Sequence, residues 1–288
     1  MKICSLFLLS LLSVVSVSRA QTYDLLLKNG RIVDGTGSPW YRGDVAIQDD
    51  KIAAIGKLGN ATARRTIDAT GLIVAPGFID MMGQSAASFI KDPGTALNLL
   101  TQGITTINAG EGASDAPLSE AAAKTAGWKT MREYFTKLET AGMPMNMVQT
   151  VGHTQVRHLV IGDKDRQASP KEMDTMRSMV QEAMEAGAIG LSTSLIYPPA
   201  IYGSEEEIAE LAKVAGKYGG RYFTHMRNEG DRLMEAIDEA LRIGYAAGTP
   251  VHIFHLKAAG QANWSKMDMA ISKIRAARAS GQEVGVDI

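Results

Sequence analysis

A chain of 288 residues, 45% hydrophobic and 21% charged, has the composition of a soluble globular protein and room for one large domain or two. A formal charge of −1, with no long basic run, argues against a nucleic-acid-binding surface. The single cysteine excludes a disulfide within the chain.

Met1-Lys2, an apolar run from Ile3 to Val17, and the small residues Ser18 and Ala20 predict a secretory signal peptide over residues 1–20. The alternative is a membrane anchor, but the run is short for a bilayer span of about 20 residues. Cleavage would make the protein secreted or periplasmic and leave no membrane contact. Cys4 lies inside this segment, so the mature chain would have no thiol for catalysis.

Residues 21–70 read as the N-terminal part of a small β domain of sandwich type. Asp24–Gly30 predicts a strand running into an Asn-Gly turn, followed by strands at Asp44–Ile47 and Lys51–Gly56.

From residue 71 the rhythm changes. Short apolar runs recur at Leu72–Ile79, Ile104–Ala109, Met145–Val151, Ala188–Ser192, Arg221–Thr224, Val251–Phe254 and Glu283–Asp287. Helix-like stretches separate most of them: Pro170–Ala186, with Ser169 as N-cap, then Ser204–Tyr218, Asp231–Ala247 and Met267–Ser280. Such alternation predicts a parallel α/β sheet with right-handed crossovers. Seven strands suit either an open doubly wound sheet or a (β/α)8 barrel of TIM type that is one strand short.

Of the five histidines, His225 and His255 end adjacent predicted strands, where barrel active sites form. Two imidazoles at neighbouring strand ends can converge on one ion. They can equally be unrelated strand-end residues with backbone partners. His153 ends the third predicted strand and could face the same pocket, while His158 reads as a solvated loop residue. His252 shares its face with Phe254 and is expected to point away from the ion.

Several motifs together give a resemblance. Pro76-Gly77-Phe78-Ile79-Asp80 resembles the opening barrel strand of the amidohydrolase superfamily. Thr224-His225-Met226-Arg227-Asn228-Glu229-Gly230-Asp231, Phe254-His255-Leu256-Lys257 and Gly190–Pro199 are similar to the fifth-, sixth- and fourth-strand segments of N-acyl-D-amino-acid deacylases, the D-aminoacylases. The resemblance covers residues 22–288. It implies an incomplete (β/α)8 barrel of about seven strands and hydrolysis of the amide bond of N-acyl, in particular N-acyl-D-, amino acids.

The departures from the pattern are as informative. The superfamily's His-x-His metal pair is replaced by Met82 and Gln84, a thioether and a neutral amide, both weak Zn2+ ligands. The family's cysteine ligand has no counterpart in Asn108–Gly112, where Glu111 is the available substitute, though it also reads as a turn residue between two glycines. With His225 and His255, Glu111 makes a set of two imidazoles and one carboxylate for a single Zn2+. The superfamily's general-base aspartate ends an eighth strand. It is expected beyond Ile288, so no catalytic base is assigned within these residues. Arg227 and Lys257, each two residues past a histidine, and Tyr197 are candidate substrate-binding residues, the cations for a carboxylate. Each can also serve a packing or salt-bridge role.

Two other readings remain open. A cyclic-amide hydrolase would carry a lysine on the fourth strand, where Ala188–Ser192 has none. A secreted, non-catalytic barrel that binds acylated amino acids would tolerate Met82 and Gln84.

Overall fold

Residues 22–32 form one continuous strand, longer than their sequence predicts. In this computed structural model, residues 22–288 are described, and the expected signal peptide lies outside them. The chain divides into two compact units, one ending at Pro76 and the other running from Gly77 to Ile288.

The first unit contains β1 (Thr22–Ile32), β2 (Tyr41–Gln48), β3 (Lys51–Gly56), β4 (Thr62–Asp68) and β5 (Ile73–Val74). They make one five-stranded sheet in the order β3-β2-β1-β4, with β5 also on β1. The described residues of this unit make this one sheet. Asn29-Gly30 is not a turn. The pairing with β2 shifts register between Leu27 and Gly30, Asn29 adopts φ 64°, and its N–H donates to Asp44 Oδ1 at 2.9 Å. Asn-Gly thus supplies a bulge inside the strand, because the Asp44 carboxylate takes the N–H that the ladder drops. The run Leu72–Ile79 also splits. Ile73–Val74 pairs with β1, which puts the division between units a few residues beyond the expected one at residue 70.

The second unit alternates strand and helix. β6 (Phe78–Gln84), β7 (Ile104–Ala109) and β8 (Asn146–Gln149) pair in parallel. Thr150 alone separates β8 from β9 (Val151–Gly152). β10 (Gly190–Ser194), β11 (Arg221–His225), β12 (Val251–Ile253) and β13 (Val284–Val286) follow in parallel order. Parallel strands bring all their C-terminal ends to one side, and every residue of the site described below comes from there.

The strands read as nearly continuous apolar runs because they are covered by helices. Ile107, Val151, Leu191, Tyr222 and Ile253 are fully buried, in one cluster with Met176, Val180, Ile208, Leu211 and Ile237. Fully burying such a side chain contributes about 1.5–3 kcal/mol.

The helix Pro170–Ala186 begins as predicted. Ser169 accepts from Glu172 N–H, Glu172 returns the bond to the Ser169 backbone, and Gly187 ends the helix at φ 117°. Residues 131–141 were not anticipated as helical, although Thr130 and Glu133 form the same reciprocal cap. His153–Val160 is also helical, so His153 opens a helix instead of ending a strand.

Candidate metal centre

Glu111 sits in a turn that only glycine can flank. Gly110 and Gly112 have φ of 93° and 75°, in the left-handed region. A Cβ on Gly110 would lie 2.5 Å from Thr150 Oγ1, and one on Gly112 would lie 2.4 Å from Ser194 Oγ. The turn is pinned from beneath: Ser194 Oγ donates to Glu111 O at 2.6 Å, and Gly112 N–H donates to Ser192 Oγ at 3.0 Å. This packing fixes the backbone and turns the Glu111 side chain toward β11 and β12.

His225 is the last residue of β11, and His255 lies two residues past β12. Glu111 Oε1 is 2.7 Å from His225 Nδ1 and 3.0 Å from His255 Nε2, and the two nitrogens are 3.0 Å apart. Three atoms with lone pairs thus form a nearly equilateral triangle. Ligands of a tetrahedral zinc site with metal–ligand distances near 2.0 Å stand about 3.3 Å apart. The triangle is slightly tighter, as protons shared between the same atoms would make it. Among the described residues this is the one group of three or more His, Cys, Asp or Glu arranged to hold an ion.

Two further side chains surround the triangle. Gln84 Nε2 donates to Glu111 Oε2 at 2.8 Å. Glu229 Oε1 lies 2.8 Å from His255 Nδ1 and accepts from Lys257 Nζ at 2.6 Å. A ligating histidine is oriented by a carboxylate on its other ring nitrogen, and Glu229 stands where that carboxylate is needed. His225 Nε2, the ring nitrogen facing away from the triangle, is buried without a hydrogen-bond partner. The nearest carboxylate oxygen, again Glu229 Oε1, is 3.8 Å away.

The electrostatics follow. Burial pushes the Glu111 carboxyl up, but hydrogen bonds from His225, His255 and Gln84 outweigh it and hold it well below the usual carboxylate range. Glu229 is likewise held low, against its burial, by His255 and Lys257. His255, with Glu111 on one nitrogen and Glu229 on the other, is raised to about 9. Gln84 and His255 also have positive φ, 55° and 37°. A non-glycine residue held there stores about 1–3 kcal/mol, and such strain concentrates at functional sites.

The structure brings together Glu111, His225 and His255, and sets Lys257 and Tyr197 at the rim. The Tyr197 ring centroid is 5.5 Å from that of His225, and 56% of the residue is exposed. It does not bring Arg227 there. The Arg227 guanidinium pairs with Glu239 at 2.8 Å and donates to Ile201 O at 2.6 Å and Gly203 O at 3.0 Å. Its donors are spent holding the loop after β10, which corrects its expected role as a substrate ligand. His153 is also elsewhere, fully buried, with Nε2 2.8 Å from a Glu207 carboxylate that pairs with Arg157. His158, expected in a loop, is helical but exposed. His252 points away from the triangle, as expected, to Asp287 Oδ2 at 2.7 Å.

Sequence reasoning missed Glu229. The available signal was its position four residues after His225, one loop turn from the strand end. Gln84 stands in the sequence as a weak replacement for a metal histidine, and its bond to Glu111 has no sequence signature.

The N-terminal region, residues 11–78, matches the family model of the urease alpha-subunit N-terminal domain. Over 275 residues the chain is 39% identical to N-acyl-D-glutamate deacylase of Alcaligenes xylosoxydans xylosoxydans, covering 92% of this chain and 56% of that protein. Its structure superposes on N-acyl-D-glutamate deacylase from Bordetella bronchiseptica, complexed with zinc and a phosphonate mimic of the tetrahedral intermediate. The TM-score is 0.83 at 35% identity, over 93% of this chain and 58% of that one. It also superposes on D-aminoacylase, studied for its binuclear metal centre with one-metal activation and second-metal attenuation. Here the TM-score is 0.85 at 34% identity, over 92% and 58% of the two chains. The chain spans a little over half the length of these relatives. It belongs to the amidohydrolase superfamily, in the group of D-aminoacylase and N-acyl-D-glutamate deacylase.

Proposed function

We propose that this chain carries the metal-binding part of a hydrolase that cleaves N-acyl-D-amino acids to a carboxylate and a free amino acid. The observation that carries the reading is the triangle of Glu111 Oε1, His225 Nδ1 and His255 Nε2. These atoms would hold one Zn2+, with a fourth position open, and the ion would polarise an amide carbonyl and lower the pKa of a water.

The protein's own residues have distinct parts. Glu229 holds His255 by Nδ1, so that Nε2 presents its lone pair. Lys257, half exposed at the rim and bonded to Glu229, would supply the cation for the carboxylate of the amino acid. Tyr197 covers His225 and offers its hydroxyl from the loop after β10. Proton removal from the attacking water is assigned to an aspartate outside these 288 residues, because Asp287 is engaged by His252 and by the His255 N–H. In the same reading, β6 and β13 flank the place of an eighth strand that would complete a barrel. Export directed by residues 1–20 is part of the proposal, and the N-terminal sequence of the secreted protein would test it.

The testing experiment is zinc content with hydrolysis of N-acetyl-D-glutamate, in the natural gene product that contains this chain. The wild type should bind zinc and release D-glutamate, and His225→Ala and His255→Ala should lose both. Retention of full zinc content by both variants would show the ligand assignment to be wrong.

A further inference from the structure

Glu111 has two carboxylate oxygens, and the triangle uses one. Oε1 faces His225 and His255, while Oε2 accepts from Gln84 Nε2 at 2.8 Å. The common way for a carboxylate to bridge two cations is to give an oxygen to each. Here the second oxygen is already met by an amide N–H, so the positive end of the amide dipole stands where a second cation would approach. Gln84 carries no charge to pair with an ion, and Met82, two residues earlier on β6, offers only a thioether.

The backbone around Gln84 is built to hold this arrangement. Gln84 is the last residue of β6, opposite Ala109 of β7, and its carbonyl accepts from Gly110 N–H at 2.8 Å. It keeps φ 55°, a conformation that glutamine rarely adopts, at the point where β6 and the Glu111 turn meet. The strain is held by the same turn that presents Glu111. Among the described residues no other set of His, Cys, Asp or Glu completes a second ion site beside the first.

We infer that Gln84 limits this centre to one divalent cation, by capping Glu111 Oε2 and so preventing the carboxylate from bridging to a second. The inference rests on the metal reading of Glu111, His225 and His255, and it concerns regulation of that site. A protein built this way is insensitive to excess metal. The second-metal attenuation described for D-aminoacylase has no place to act.

The test is metal stoichiometry, read without activity. The chelator-treated chain is titrated with Zn2+ by calorimetry, and bound zinc is counted by elemental analysis after gel filtration from a tenfold molar excess. The expected result is one zinc per wild-type chain, and two in the Met82→His/Gln84→His variant. Cobalt loading gives an independent reading in the wild type alone. An isolated high-spin Co2+ spectrum that does not change at excess metal supports the inference, and a spin-coupled pair overturns it. Two zinc ions in the wild type, or one in a folded double variant, also overturns it. Failure of the underlying metal reading looks different: the wild type binds no zinc, or binds it unchanged after His225→Ala and His255→Ala.

Discussion

Glu229 Oε1 lies 2.8 Å from His255 Nδ1, on the side of the ring opposite Glu111. The imidazole is therefore gripped between two carboxylates, and its rotation is fixed before any ion arrives. Glu229→Gln keeps the shape and removes the charge. Zinc affinity should fall about 10–100-fold, the usual effect of losing a carboxylate behind a ligating histidine. Competition with a chromophoric chelator measures it, and an unchanged affinity would mean that Glu229 serves Lys257 alone.

The same grip sets a pH dependence. His255 is raised from 6.5 to about 9, so the metal-free protein holds a proton there that zinc must displace. Zinc affinity should climb about tenfold per pH unit up to pH 9 and then level off. Metal-free stability should run the other way. A folded pKa above the unfolded one stabilises fully below about 6.5 and loses that contribution as pH rises through about 9. Thermal melts of the chelated protein between pH 6.5 and 9 should show this fall, and the zinc-loaded protein should not.

How much of this was legible in the sequence depends on the range of the interaction. His225 and His255 could be found because strand ends are local features and parallel strands align them. Glu111 could be placed because its glycine neighbours and its position after β7 are local too. Gln84 and Glu229 depend on partners in distant strands: 27 residues separate Gln84 from Glu111. Asn29-Gly30 misled because a positive φ suits a bulge as well as a turn, and only the Asp44 carboxylate decides between them. Arg227 misled for a related reason. Its spacing from His225 is that of a rim residue, but the buried Glu239 on the helix Leu233–Ala247 captures it.

That capture predicts a structural phenotype. Arg227→Met leaves Glu239 and two loop carbonyls without their donors, and should destabilise the chain by about 1–3 kcal/mol, allowing for partial exposure of the pair. Zinc content should be unchanged in denaturant-free buffer. Urea unfolding followed by circular dichroism, with zinc analysis on the same sample, separates this from a role at the site.

Gly112→Ala tests the turn. The new methyl would meet Ser194 Oγ and the residue would keep a left-handed φ, so either the backbone shifts or Ser194 moves. Stability should drop by at least about 1 kcal/mol, and zinc affinity should fall with it because Glu111 is displaced. Equal zinc affinity in a destabilised variant would separate the turn from the ligand.

The central claim is that Glu111, His225 and His255 hold one ion. Zinc K-edge X-ray absorption on the reconstituted protein tests it most directly. The account predicts only nitrogen and oxygen neighbours at about 2.0–2.2 Å, with the outer-shell scattering of two imidazoles, and loss of that zinc signal in His225→Ala. Zinc bound without imidazole scattering, or with the same two imidazoles after both His225→Ala and His255→Ala, would contradict it.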